Sequence, residues 1–318
     1  MLAEQFEKRL IFFAGKGGVG RTTLSAAIGL AHARRKRRTL IVEMGATPQM
    51  PSLFGGESRS SYEPIRLMKD LPLYTCHLTP KEALAEYGVM KLKMRSVYKL
   101  VFENDFMKRL VEWVPGMDEL LLIGKIWFIE QQRDRNGRPM YDRIIVDAPA
   151  TGHGVSLLQL PSVIVDAVKS GPFATDSRPI QDLLQDPTRT LVHLVSLPEE
   201  LPVRETLELS ERIRTDLNIS LGCCFVNRVW PKPFTAREQR IAGQLRAAVR
   251  GRDSNLDTMM DQVINASQRR DKQQKNIRTL QGELSELPII QVPRLFTDRI
   301  GMEELDTLSH HMGKEQHA

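Results

Sequence analysis

Residues 14–23 read A-G-K-G-G-V-G-R-T-T and stand between the apolar run Leu10–Phe13 and a helix-like stretch, Leu24–Ala31. Glycines at 15, 17, 18 and 20 free the backbone to turn its N–H groups toward one point, and the helix that follows aims its positive end there. The chemistry this permits is the binding of an anionic polyphosphate. The spacing Gly15, Gly20, Arg21, Thr22 satisfies G-x-x-x-x-G-K-[ST] except that Arg21 replaces the lysine. Gly15, Gly17, Gly18, Val19, Gly20, Arg21, Thr22 and Thr23 form the expected cradle, with the Thr22 hydroxyl as a ligand of Mg²⁺. A turn without function needs only one or two glycines and no strand-to-helix setting.

Three further positions close apolar runs. Asp147 ends Ile144-Ile145-Val146, where such folds hold Mg²⁺ through water. The glycine-containing turn after it, residues 148–154, can approach a terminal phosphate. Asn227 ends a second run and presents a donor and an acceptor suited to an adenine edge; a plain strand-end turn is the other reading. Pro293 and Arg294, at a third strand end, could close over the base with backbone groups.

These residues require strands whose ends meet. Strands are predicted at Leu10–Ala14, Thr39–Glu43, Arg143–Asp147, Thr190–Ser196, Leu221–Val226 and Ile289–Val292, and continuous apolarity implies burial on both faces, as in a parallel sheet. Helical periodicity separates them at Leu201–Leu217, Thr235–Val249 and about Asn255–Leu284. The alternation predicts a doubly wound α/β fold, mostly parallel, with ligands at the carboxyl ends of the strands. One domain is expected over 1–318, with a helical subdomain inserted at about 80–135 between the second and third of these strands. That region carries a methionine-rich apolar face (Met90, Met94, Met107, Met117, Val97, Leu100, Val101, Leu110, Leu121, Leu122). Amphipathic helices packing on their own core also explain such a face.

Composition narrows the classes. The chain has 318 residues, 41% of them hydrophobic, and a net charge of +6. No apolar stretch approaches a membrane span, and Glu4, Glu7, Lys8 and Arg9 precede the first apolar run, unlike a secretory leader. A cytoplasmic location is expected. Cys76, Cys223 and Cys224 form no C-x-x-C pair, so neither a zinc site nor a disulfide framework is indicated. The basic run Arg34–Arg38 falls where the first helix should end, which favours cations, and no aromatic residues interleave to stack on bases. No nucleic acid is expected as a partner.

The glycine loop resembles the deviant phosphate loop shared by MinD, ParA and the ArsA group, whose extra lysine corresponds to Lys16. Residues 147–153 (D-A-P-A-T-G-H) with 157–161 (L-L-Q-L-P) are similar to the second switch of ArsA and the guided-entry ATPases. Residues 115–119 (P-G-M-D-E), Asn227, and the block 269–275 leading to Pro288 and Pro293 match the same layout, so the resemblance spans nearly the whole chain. It implies a magnesium-dependent ATPase and a homodimer, or a pair with a related paralogue, in which Lys16 crosses to the partner's nucleotide as an arginine finger would. In the guided-entry group the helical insert carries a hydrophobic membrane-protein client, so any membrane contact here is expected only through a client.

The chain departs from that pattern in three places. Gly45 stands where an ungapped alignment places the switch-one aspartate. Glu43, two residues earlier on the same face of an extended strand, could contact a magnesium-bound water or act as substitute base; a strand-end acid near the phosphate site is the alternative. Arg21 keeps the loop charge but brings a planar guanidinium that needs more room. The paired cysteines of the zinc-bridged relatives are absent, as is any cysteine cluster suited to arsenite. Two alternatives to an active ATPase follow: a nucleotide-held switch with impaired hydrolysis, and a MinD- or ParA-like positioning ATPase. The acidic Glu303, Glu304 and Asp306 argue against a membrane-targeting C-terminal helix.

Overall fold

The computed structural model describes residues 7–44, 47–57, 59–92, 116–148, 153–167, 172–231, 235–249 and 254–315. Gly45, most of the turn after Asp147, and the insert positions Met94, Val97, Leu100, Val101, Met107 and Leu110 lie outside them.

The centre is an eight-stranded sheet. In chain order the strands are β1 (Leu10–Ala14), β2 (Thr39–Glu43), β3 (Ile65–Arg66), β4 (Leu73–His77), β5 (Arg143–Asp147), β6 (Thr190–Ser196), β7 (Leu221–Val229) and β8 (Ile289–Pro293). Their spatial order is β3-β4-β2-β5-β1-β6-β7-β8, parallel throughout except for the β3–β4 pair. All five residues of β1 are buried, as are those of β2 and all seven of β6. This is why β1 and the middle of β2 read as unbroken apolar runs rather than alternating ones, whereas β6 also buries Thr190, His193 and Ser196.

The helices are α1 (Arg21–Arg34), α2 (Met50–Leu53), α3 (Pro80–Leu92), α4 (Met117–Gln131), α5 (His153–Ala167), α6 (Pro172–Gln185), α7 (Glu200–Thr215), α8 (Ala236–Val249), α9 (Ser254–Glu283) and α10 (Met302–Glu315). Alternate strand residues divide the core. Leu10, Phe12, Leu40, Val42, Ile144 and Val146 face one layer with α4, α5, α6 and α7, whereas Ile11, Phe13, Ile41 and Ile145 face α1 and α10. Gly29 lets α1 approach β2, since a Cβ there would fall 2.7 Å from Ile41 Cδ1.

The structure revises several expected boundaries. Ahead of the insert expected at about 80–135, the chain adds two strands that were not predicted, β3 and β4, and β4 pairs with β2 and extends the sheet. β7 runs on to Val229 instead of ending at Val226. The basic run is a helix end with acidic partners: Arg34 pairs with Asp306 of α10, Arg38 with Asp134 at 3.4 Å, and Arg37 with Glu7 at 3.9 Å. The acidic residues near the C-terminus lie on α10, whose Leu305, Leu308 and Met312 are buried in the α1 layer. Among the described residues no helix is long and apolar enough to cross a membrane.

Candidate functional site

The glycine loop joins β1, the innermost strand beside β5 and β6, to α1. Gly20 takes the left-handed conformation at the helix N-cap, with φ 96° and ψ 27°, and Gly18 has φ 80°. Side chains rarely adopt either value. Packing adds a second constraint: a Cβ on Gly20 would sit 2.2 Å from Asn227 Nδ2, and one on Gly15 would sit 2.4 Å from the Val195 carbonyl oxygen. The first turn of α1 carries no acidic residue, so its positive end is left for an anion.

Parallel pairing in register brings the acids together. Asp147 of β5 is the Cα partner of Glu43 on β2 and of Phe13 on β1, and it thereby lies beside the start of α1. The Thr22 hydroxyl donates to Asp147 Oδ2 at 2.7 Å, joining the two predicted metal ligands directly. The other oxygen, Oδ1, is buried and has no hydrogen-bond partner. Burial pushes the Asp147 carboxyl up to about 6; the Thr22 hydrogen bond and the Arg21 charge oppose this, and Glu43 adds to it. An orphaned buried acceptor beside a hydroxyl is a donor set that fits a hard divalent cation or its water. Among the described residues no cluster of three or more His, Cys, Asp or Glu offers another metal site.

Arg21 is buried, and desolvation lowers its pKa while Asp147 raises it. With Gly15, Lys16, Ala148, Glu205 and Arg212 it lines a cavity of about 210 Å³ above the loop. Lys16 pairs with Glu205 of α7 within the same chain at 3.0 Å. Sequence reasoning missed Glu205, which has no motif and lies on the helix that follows β6, the strand beside β1.

Glu43 is 3% exposed. Its Oε1 accepts from the backbone N–H groups of Gln49 (2.6 Å) and Met50 (3.0 Å) at the start of α2, and its Oε2 lies 3.3 Å from the Thr75 hydroxyl, whose single proton goes to the nearer Ile41 carbonyl at 3.0 Å. It ties the strand end to the chain that follows residues 45–46.

Asn227 also spends both ends of its amide on backbone. Nδ2 donates to the Val19 carbonyl at 2.8 Å, and Oδ1 accepts from the Arg228 N–H at 2.8 Å. Here the β7–β8 register shifts between Val226 and Val229, and Arg228 has φ 57°. Such a bulge re-aims a side chain, in this case onto the phosphate loop. Pro293 closes β8, and the Arg294 N–H donates to the Val229 carbonyl at 2.9 Å. The guanidinium groups of Arg294 and Arg269 lie 5.1 and 4.6 Å from the Trp230 ring centre, and Phe296 meets Trp230 edge-on.

Away from the loop, α3, α4 and α6 enclose a mainly apolar cavity of about 530 Å³. Leu120, Leu121, Trp127 and Phe128 line it, together with Lys125, whose ammonium bonds Glu86 at 2.7 Å. Of the predicted methionine-rich face, Met117 and Leu121 line this cavity, whereas Leu122 is buried in the core.

Residues 8–171 match the ArsA family, described as anion-transporting ATPases. The chain is 28% identical to ATPase BagA of Mycobacterium tuberculosis, over 96% of this chain and 93% of the relative. It is 26% identical to an ATPase ASNA1 homolog of Entamoeba dispar, over 70% and 76% of the two chains. It is 24% identical to an arsenical pump-driving ATPase of Acidiphilium multivorum, over 80% of this chain and 46% of that protein. With a glycine loop on the innermost strand of a mostly parallel sheet and a threonine bonded across to the acid of β5, the chain belongs to the ArsA ATPase family.

Proposed function

We propose that the protein is a cytoplasmic, magnesium-dependent ATPase of ArsA type that works as a homodimer and handles a hydrophobic protein client. The observation that carries this reading is the Thr22–Asp147 hydrogen bond of 2.7 Å, with the second Asp147 oxygen buried and free. Thr22 and Asp147 would hold Mg²⁺, which neutralises developing phosphate charge when bound. The backbone N–H groups of residues 15–23 and the α1 terminus bind the phosphates, and Arg21 supplies a fixed positive charge in the cavity beside them. Asn227 braces the loop from below through Val19. Pro293 and Arg294 stand at the neighbouring strand end, where a base would lie. Lys16 has to leave Glu205 before it can reach a partner's nucleotide. The client site is assigned to the cavity between α3, α4 and α6, which supports an apolar segment by its walls and size.

A second reading, a nucleotide-held switch with little hydrolysis, is favoured by Glu43. Two backbone N–H groups bond its Oε1 and the side chain is buried, so it is poorly placed to accept a proton from water. Calorimetry with Mg-ATP, run beside steady-state phosphate release, tests both. The ATPase reading expects binding with turnover, and Asp147→Asn or Thr22→Ala should remove the magnesium-dependent part of the affinity. Binding without turnover leaves the switch, and absence of binding ends both readings.

A further inference from the structure

The strand ends opposite the glycine loop gather positive charge. Residues 7–9, 35–38, 133–142 and 186–189 lead into β1, β2, β5 and β6, and because these strands are parallel the four segments share one pole of the sheet. The five residues of β1, at about 3.3 Å each, put about 17 Å between this pole and the loop. Contacts between the segments fix the grouping. The Asp142 N–H donates to the Arg38 carbonyl at 2.8 Å, Arg38 Nη2 donates to the Pro139 carbonyl at 2.8 Å, and Arg9 Nε donates to the Tyr141 carbonyl at 3.2 Å.

The carboxylates at this pole are already committed. Glu130 holds Arg9 and Arg189, Glu7 holds Arg143 and, at 3.9 Å, Arg37, and Asp134 holds Arg38. Asp142 accepts from the Arg38 N–H and Asp186 from the Thr188 N–H, each at 2.8 Å. Lys36, Arg133, Arg135 and Arg138 are exposed, and none of the four forms an ion pair with a carboxylate among the described residues. The Arg133 guanidinium bonds the carbonyls of Glu130 and Gln132, which leaves its charge uncompensated. Burial lowers the Arg9 pKa, Glu130 opposes this, and the like charges of Arg133 and Arg189 add to it, so the cations are close enough to feel one another.

Three of the four cations stand on the turn after α4, which is rigid by itself. The Asp134 N–H donates to the Arg138 carbonyl at 2.7 Å, Asp134 Oδ1 accepts from the Asn136 and Arg138 N–H groups at 2.9 and 3.0 Å, and Gly137 takes φ 75°. Little ordering entropy is then lost on binding. The side chains beside the arginines separate two classes of polyanion. Met140 is 37% exposed and suits the edge of an acyl layer, whereas the neighbouring Tyr141 is buried and offers no face on which a base could stack.

We propose that this pole docks the chain on an anionic lipid bilayer, with Lys36, Arg133, Arg135 and Arg138 at the headgroups and Met140 at the acyl boundary. Gln131, the last residue of α4, lines the apolar cavity between α3, α4 and α6, so the docked face adjoins that cavity while the glycine loop points away from the lipid. The contact belongs to the chain itself rather than to a client, and it needs no nucleotide.

Co-sedimentation of the full chain with phosphatidylcholine vesicles, with and without about one-third phosphatidylglycerol, tests the proposal. The chain should bind only the anionic vesicles and should leave them at about 0.5 M salt, where screening shortens the reach of each charge. A cation near such a surface is worth about fivefold in partitioning, so Lys36→Gln should weaken binding about fivefold and Arg135→Gln with Arg138→Gln on the order of thirtyfold. These side chains are exposed, so far-UV circular dichroism should be unchanged. No binding to the anionic vesicles, equal binding to both kinds, or binding unmoved by all three substitutions overturns the proposal. So does salt-sensitive binding to a duplex oligonucleotide without binding to vesicles, which would make the face a nucleic-acid site. Mg-ATP calorimetry on the same samples reads the other end of the sheet, and a failure there would end the ATPase reading while the vesicle result still stood.

Discussion

The close approach of Gly20 and Asn227 makes a quantitative prediction about the phosphate loop. Gly20→Ala places a side chain on a residue with φ 96°, which costs about 1–2 kcal/mol in the left-handed region. The new Cβ would also lie 2.2 Å from Asn227 Nδ2, so the amide must move and give up its 2.8 Å bond to the Val19 carbonyl. A lost hydrogen bond of this kind adds about 0.5–1.5 kcal/mol. The single substitution should therefore cost about 2–3 kcal/mol, read as a lowered urea midpoint at constant m-value. Asn227→Ala removes both the bond and the obstacle. In that background Gly20→Ala should cost only its backbone share, leaving a coupling of about 1 kcal/mol in the double-mutant cycle. Equal costs in both backgrounds would refute the reasoning, because they would mean that Asn227 does not brace the loop.

Acid should weaken the fold before it strips the carboxylates. Burial holds His32 and His193 down at about 3, so they stay neutral in the native chain but bind protons below about 6.5 when it unfolds. Asp147, pushed up to about 6, works the other way between its unfolded value near 4 and pH 6. Two protons more in the unfolded state against one more in the native state leave stability falling by about 1.4 kcal/mol per unit of pH lost from 6 to 4; a flat urea-midpoint profile there would contradict this. Glu43→Gln should lower stability by about 1–3 kcal/mol while leaving the shape of any pH–rate profile unchanged, and loss of the acid-side limb would instead make Glu43 the base. Glu130 is 1% exposed and bonded to Arg9 at 3.0 Å and Arg189 at 2.5 Å, so Glu130→Ala should cost about 3–5 kcal/mol in thermal or urea unfolding.

The parts of this fold that were legible in the sequence are those in which one physical cause dominates. Strands buried on both faces are dominated by apolar residues, and β1 and the centres of β2 and β5 announce themselves in that way. β4 does not, because Leu73–His77 mixes Thr75 and His77 into a buried strand. Thr75 gives its hydroxyl to the Ile41 carbonyl, and His77 bonds the Ser60 hydroxyl, so the polar groups are satisfied by contacts that no periodicity reveals. The same holds at the site. Thr22 and Asp147 are readable from loop spacing and a strand end, and the sheet brings them to 2.7 Å. The engagement of Glu43 by α2, of Asn227 by Val19 and of Lys16 by Glu205 depends on side-chain directions at positions up to 208 residues apart, and local sequence does not encode them.

The three cysteines have a practical consequence. Cys76, Cys223 and Cys224 are all buried, and burial pushes each thiol up to about 12. Almost none of any of them is thiolate at neutral pH, and the thiolate is the form that alkylating reagents attack. The wild-type sequence is therefore already a quiet background for maleimide chemistry, and one cysteine placed on the surface would carry a fluorophore or spin label without prior removal of the native three.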